Sequence, residues 1–424
     1  MKKYVQVFVC FLVGVLPILG QAPFQNTMVN QGVLTISSEA VVSTSYDFDN
    51  TATGQVNSDG TIYYYSHFNN DNLYYYSNPS PTAKAIFTPL EFQSGHQQIS
   101  GNRPSDFYHI VLDNPTPIMG FDLKNEVNVK GSMEFKDGII QVDSLQGMLT
   151  FHQGAQALNP TDKSHAQGYV EKIGKEPFTF PIGDKSVYRY ARISAPVAEK
   201  EAYQSKYILN DHDFFKNHSN KDASIEQINT KEYWRIDKST ANKGDIMLTL
   251  SWDERTTDSR VLNQTDKELH LVRWDEQAKQ WKDLGGVVAM DAKEITTPAT
   301  IEDYGYFTFA IVDHIVSNSN DLEIYNLVTP NGDGKNDYFY IKNIQAVPTN
   351  NVAIYNRWGI KVFETDRYDT SDNVFRGYSE GRVTINKGER LPSGTYFYIL
   401  TYEKSTPTGS SVIKKSGYLH LETE

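Results

Sequence analysis

Cysteine is almost missing from this chain. Of 424 residues one is a cysteine, Cys10, and it lies inside an N-terminal apolar run. Removal of that run would leave no thiol, which excludes disulfide staples, cysteine-ligated metals and a thiol nucleophile. Basic charge is also short: 40 Lys and Arg face 52 Asp and Glu, for a formal charge of −12. Nucleic-acid binders concentrate basic charge, so no nucleic-acid partner is expected. Helical patterning is missing too, since no long stretch beyond the extreme N-terminus repeats its apolar residues with a 3.6-residue period. Nor is there a GxSxG elbow, an HExxH pair or a glycine-rich phosphate loop. The ten His are scattered, and Asp211-His212-Asp213 with His218 is the nearest to a cluster; its spacing fits no metal-site signature. A pair of carboxylates could hydrolyse a glycan, but the sequence singles out no pair. The expectation is therefore no catalytic residue, no resident metal and no enzyme.

What is present suits strands and turns. Tyr (27) and Phe (21) are abundant, and Asn, Gly, Ser and Asp interrupt them at short intervals. Residues 1–20 read as a signal peptide: Lys2 and Lys3 precede the apolar run Val5–Leu16, and cleavage is expected between Gly20 and Gln21. Residues 21–185 contain short runs such as Val33–Ile36, Thr61–Tyr65, Asn72–Tyr76, Phe107–Leu112, Gly138–Val142 and Gly147–Phe151. Short strands at near-even spacing predict a stacked, coiled sheet, a parallel β-helix, or failing that a sandwich. No strict repeat stands out. The runs Tyr63–Tyr65 and Tyr74–Tyr76 fit either cross-strand sheet cover or an aromatic platform for sugar or a partner.

Residues 186–315 predict a second β unit, an immunoglobulin-like sandwich. Its runs include Glu232–Ile236, Ile246–Trp252, Leu269–Trp274 and Tyr306–Ile311, with Ile246, Leu248, Leu250 and Trp252 alternating onto one face. Four of the five Trp fall here, expected as core. Residues 316–321 read as a polar linker. Residues 322–424 predict a small β-sandwich with turn-rich punctuation.

Three motifs punctuate that last unit: Thr329-Pro330-Asn331-Gly332-Asp333-Gly334-Lys335-Asn336-Asp337, then Tyr355-Asn356-Arg357-Trp358-Gly359, then Leu391-Pro392-Ser393-Gly394-Thr395-Tyr396-Phe397-Tyr398. In this order and at these separations they resemble the gliding-motility-associated C-terminal domain of Bacteroidota, the type B sorting signal of the type IX secretion system. Members usually carry an Asn-x-Trp-Asp-Gly segment between the second and third motifs, where this chain has Asn373-Val374-Phe375-Arg376-Gly377; many end in a basic residue, where this chain ends Glu422-Thr423-Glu424. Gly168–Gly174 with Phe178–Asp184 and Tyr188-Arg189 is similar to a segment of large surface proteins that carry the same domain; it is expected to be a structural junction. Asp143-Ser144-Leu145 resembles the short O-glycosylation site of that phylum.

The resemblance implies export across the outer membrane to the cell surface or medium, with the type IX translocon and an outer-membrane helper protein as partners. Asn331, Asp333 and Asp337 offer alternating oxygens around glycines, the material of a calcium loop, but Lys335 and the missing distal Glu fit an Asn/Asp turn instead. Calcium is thus the one cofactor the motif brings to mind, and none is expected. The expected role is a secreted, adhesin-like protein whose β units present a face to a surface polysaccharide or protein. A polysaccharide-acting enzyme on the β-helix and a structural component of the gliding or secretion apparatus are the alternatives.

Overall fold

The computed structural model describes residues 26–423 apart from 78–81, 91–94, 197–199, 240–245, 263–266, 299, 302, 314–321, 357–358, 382–387 and 407–408. The expected signal peptide with Gly20 and Gln21, the linker, and Arg357 and Trp358 lie outside the described residues.

The first unit is the parallel β-helix. One face stacks Thr27–Asn30, Asp47–Asn50, Phe68–Asn70, Gln97–Ser100, Phe121–Lys124, Ile140–Val142 and Ala166–Gln167, every neighbour parallel. A second face stacks Val33–Ile36, Gln55–Ser58, Leu73–Tyr75, the start of Ser105–Asp113, the start of Glu126–Asp137, Met148–Phe151 and Val170–Ile173. The third face runs Val41–Thr44, Thr61–Tyr64, Lys84–Phe87, the ends of the same two long strands, and Gln156–Leu158. The long strands turn the corner between the second and third faces at a register shift between Phe107 and His109, the bend that a bulge produces.

Alternation decides what fills the coil. Phe48, Phe68, Tyr64, Phe87, Phe107, Leu112, Leu123 and Phe135 point inward and are almost wholly buried. Phe48 stacks on Phe68 at 5.8 Å and Tyr64 on Phe87 at 5.0 Å. Tyr64 donates its hydroxyl to Tyr74 at 3.0 Å, and burial pushes the Tyr74 phenol up to about 12. The Tyr runs therefore split: Tyr64 and Tyr74 are core, while Tyr63 and Tyr65 lie outside, stacked on each other at 5.9 Å.

A polar spine closes one corner. Asn30 donates its amide to Asn50 Oδ1 at 2.8 Å, Asn50 donates to Asn70 Oδ1 at 2.7 Å, and Asn70 donates to the carbonyls of Arg103 and Pro104. Asn50 and Asn70 are fully buried. The three residues recur at intervals of 20, a repeat legible in the sequence once the coil is known. Gly101 (φ 136°) passes so close to Asn70 that a Cβ there would come within 2.0 Å of its carbonyl oxygen.

The second unit is a sandwich of antiparallel sheets, and the β-helix runs directly into it. Val170–Ile173, the last strand of the second face, pairs antiparallel with Ala202–Leu209, which pairs with Glu232–Lys238, then Gly305–Asp313, Lys267–Asp275 and Gln280–Asp283. The facing sheet is Phe178–Thr179, Ala191–Ile193, Leu248–Ser251, Glu294–Thr296 and Val287–Ala289. One apolar core is continuous from Ile36 to Ile311, so the coil and the sandwich share a sheet and an interior across residue 185. The expected junction segment is where this happens. Four Trp (Trp234, Trp252, Trp274 and Trp281) are at most 7% exposed, as expected of core.

The junction also holds a buried ion pair. Arg189 Nη2 donates to Glu232 Oε1 at 3.2 Å with both side chains at most 2% exposed. Thr256, Ser251, Thr257, Asn229 and Tyr207 complete the partners, so every polar atom of the pair is satisfied, which a buried charge requires.

The third unit has its own core under a six-stranded sheet ordered Leu327–Val328, Gly409–Leu421, Gly394–Thr406, Asn350–Asn356, Lys361–Asp366 and Glu380–Gly381.

Candidate functional site

Two places carry chemistry that the fold alone does not require: the motif loops of the C-terminal unit and the outer surface of the third β-helix face.

In the first motif the chain wraps around a carboxylate. Gly332 N–H donates to Asp337 Oδ1 at 2.6 Å and Gly334 N–H to Asp337 Oδ2 at 2.8 Å, while Asp333 Oδ1 accepts from Lys335 N–H at 2.8 Å and Asn331 Oδ1 from Asp333 N–H at 3.1 Å. Gly332 (φ 79°), Gly334 (φ 82°) and Asn336 (φ 53°) take the left-handed conformation that aims successive N–H groups at one anion. Pro330 presets the turn. Both oxygens of Asp337 are engaged by backbone, which is the self-bonded Asx turn; this loop is exposed.

The second motif lies between Asn350–Asn356 and Lys361–Asp366, which pair antiparallel. Gly359 N–H bonds the Asn356 carbonyl at 2.9 Å and Ile360 N–H bonds Asn356 Oδ1 at 3.0 Å. Gly359 (φ 72°) sits against the middle sandwich, where a Cβ would come within 2.3 Å of Ser194 Cβ. The third motif opens a long strand: Gly394 (φ 153°) starts it, Tyr396 donates to the Pro392 carbonyl at 2.8 Å, and Tyr396 and Tyr398 enter the core. Tyr398 packs on Phe339 at 4.9 Å and lies across Gly417, its partner in the next strand. In the departing segment, Phe375 occupies the aromatic position, fully buried 5.4 Å from Phe363, and Arg376 pairs with Asp372. A Phe ring thus fills this core position without Trp. Sequence reasoning missed Tyr368, which donates to the Phe339 carbonyl at 2.6 Å and accepts from Phe375 N–H at 3.0 Å, tying the stretch just after the first motif to this segment.

The second place is a groove of about 520 Å³ on the third β-helix face, lined by Thr61, Lys84, His109, Ser132, Glu134 and Leu158 among others. Pairing brings residues from distant parts of the chain into two outward rows. Thr61, Lys84, His109 and Ser132 are consecutive register partners, and so are Tyr63, Ile86, Val111, Glu134 and Leu158. His109 Nδ1 lies 2.8 Å from Ser132 Oγ. Tyr108 and His109 press close on Gly131, where a Cβ would come within 2.8 Å of the Tyr108 carbonyl oxygen. Tyr63 continues the second row one rung beyond Ile86 and stacks on Tyr65, so half of the Tyr-rich sequence signal belongs to a surface.

The Asp211–His218 cluster is explained by packing. Asp211 caps the helix His212–Asn217 through Phe214 N–H at 3.0 Å and accepts from Tyr233 at 2.9 Å; His218 stacks on Phe214 at 4.0 Å. Among the described residues no group of three or more His, Asp, Glu or Cys is placed to hold a metal ion. Asp143 Oδ1 accepts from Leu145 and Gln146 N–H at 2.8 Å, which holds Ser144 exposed at a coil corner.

Residues 322–421 match the CHU_C type IX secretion signal domain. No curated protein and no solved structure matches the chain.

Proposed function

We propose that this chain, addressed for export by its type IX signal domain, is a non-enzymatic, adhesin-like protein of the cell surface or medium. An outer-membrane helper protein of the secretion machinery receives the C-terminal domain, and the β-helix is the part offered to the surroundings. The observation that carries the reading is the combination of the signal domain with a coil whose third face bears a broad, open, mixed polar and apolar groove. Glycoside hydrolysis needs two carboxyl groups about 5–10 Å apart across the scissile bond. Among the described residues that line the groove Glu134 is the one carboxylate, which supports binding over hydrolysis.

The test is localisation of the chain with and without residues 322–424 in a host with a working type IX system, together with adhesion of the cells. Surface or medium location that depends on the domain, with stronger adhesion than in cells lacking the protein, is the expected result. Periplasmic location of both forms would overturn the export reading, and unchanged adhesion would overturn the adhesin reading.

A further inference from the structure

We propose that the groove on the third β-helix face binds a neutral polysaccharide chain lying across the rungs, parallel to the coil axis. This rests on the adhesin-like reading and names its ligand class and site.

The first argument is the period. Register partners on adjacent parallel strands stand about 4.8 Å apart, close to the rise of one sugar in an extended glycan. A linear glycan along the axis therefore meets one member of each row at every rung. The polar row Thr61, Lys84, His109, Ser132 offers hydrogen-bonding groups at that interval, and Tyr63, Ile86, Val111 and Leu158 offer apolar surface beside it. Sugars present hydroxyls at their edges and C–H groups on their faces, so the two rows fit two sides of one chain.

The second argument is the balance of donors and acceptors. Lys84 only donates, Glu134 only accepts, and Thr61, His109 and Ser132 do both. Hydroxyls also do both. An acidic polymer would call for an excess of cations, and here Lys84 is offset by Glu134 in the same groove on a chain of net charge −12. Neither Lys84 nor Glu134 is engaged in an ion pair with a described residue, so both heads are available to a ligand.

The third argument separates glycan from peptide. On this face the strands bond each other from rung to rung, and the groove lies over their outer side chains rather than along an edge. Strand pairing, the usual source of a peptide's affinity for a sheet, is open only at the end strands Val41–Thr44 and Gln156–Leu158, each paired on one side among the described residues, and the groove crosses the strands between them. Tyr63, stacked on Tyr65, gives rigid amphipathic contact at low entropic cost.

Affinity electrophoresis of the full chain lacking residues 1–20 decides it, with a soluble β-glucan, a xylan and a mannan as neutral probes and polygalacturonate as the acidic one. The expected result is retardation by at least one neutral probe and none by polygalacturonate, weakened about tenfold or more in Tyr63→Ala and in Lys84→Ala/Glu134→Gln. Both changes are on the surface, and unchanged unfolding midpoints would show that the coil is intact. Retardation by polygalacturonate alone, by no probe, or equally in wild type and both variants would overturn the assignment. Its failure is distinct from failure of the adhesin reading: purified chain that ignores every probe removes the groove assignment, even where cells carrying the chain still adhere.

Discussion

Replacing Asn50 by Ala should cost the β-helix more than any exposed change of the same size. Asn50 is fully buried, accepts from Asn30 at 2.8 Å and donates to Asn70 Oδ1 at 2.7 Å and to the Leu73 carbonyl at 3.2 Å. Ala removes all three bonds. Asn30 keeps a bond to the Gln55 carbonyl, but Asn70 Oδ1 loses the partner it had inside the coil. A buried polar group left unpaired costs about 1–3 kcal/mol, and the emptied amide volume adds roughly another 1 kcal/mol. The expected loss is therefore about 3 kcal/mol. With a urea slope of about 2 kcal/mol per molar, the unfolding midpoint falls by roughly 1.5 M. Asn30→Ala, at the partly buried end of the spine, takes the donor from Asn50 Oδ1 but empties less buried volume, so it should lose about 1–2 kcal/mol, less than Asn50→Ala. The assay is urea unfolding of the full chain lacking residues 1–20, followed by fluorescence and far-ultraviolet circular dichroism. If Asn50→Ala unfolds within 0.3 M of wild type, or Asn30→Ala matches it, the spine is not what holds this corner, and the reasoning from buried amides fails.

Other outcomes follow from the same structure. Arg189→Met strands Glu232 in the core and should destabilise by about 3–5 kcal/mol, while Arg189→Met with Glu232→Leu should recover most of that; a double-mutant cycle in denaturant measures it. Gly417→Val drives a side chain into Tyr398, whose Oη would lie 2.5 Å from a Cβ at 417. Overpacking of about 1–3 kcal/mol should unfold the C-terminal domain in part and leave more protein in the periplasm on cell fractionation. Burial disfavours the charged form of His270, but hydrogen bonds to Asp283 and Glu268 outweigh it and raise its pKa to about 9. Because the folded value lies above the unfolded one near 6.5, this stabilisation is fully present below pH 6.5 and fades as pH rises through 9. His270→Gln should therefore cost on the order of 2 kcal/mol at pH 6 and little at pH 10, read as a melting-temperature difference that shrinks with pH.

Local chemistry made much of this molecule legible. Turn residues and period-2 runs place the strands, and Val33–Ile36, Thr61–Tyr64 and Met148–Phe151 appear as strands of a stacked coil. The motif loops could be anticipated because their conformations are enforced by their own residues: Gly332, Gly334 and Asn336 supply left-handed backbone, and Asp337 supplies the acceptor. The recurrence of Asn30, Asn50 and Asn70 was present in the sequence too. It was masked because the later rungs change length and abandon the spine, so no uniform repeat persists.

Long-range pairing was not legible. Nothing near Val170–Ile173 says that the coil's last strand will pair with Ala202–Leu209 and carry its sheet into the sandwich, because a strand edge accepts any partner that presents matching backbone. Nor could Arg189 be matched to Glu232, 43 residues away, since a buried pair is specified by the space left between two sheets. Of the groove, the sequence displayed Tyr63 and Tyr65 as an aromatic run but hid which rings face out. Thr61, Lys84, His109 and Ser132 come from rungs separated by loops of unequal length, so their alignment exists only after backbone hydrogen bonds set the register. The sequence by itself determined the strand-and-turn composition and the address carried by the C-terminal motifs, because these depend on residues close along the chain. The tertiary structure alone decided the shared core, the buried charges and the outer groove, because each is a meeting of residues that only the stacking of rungs and sheets brings within reach.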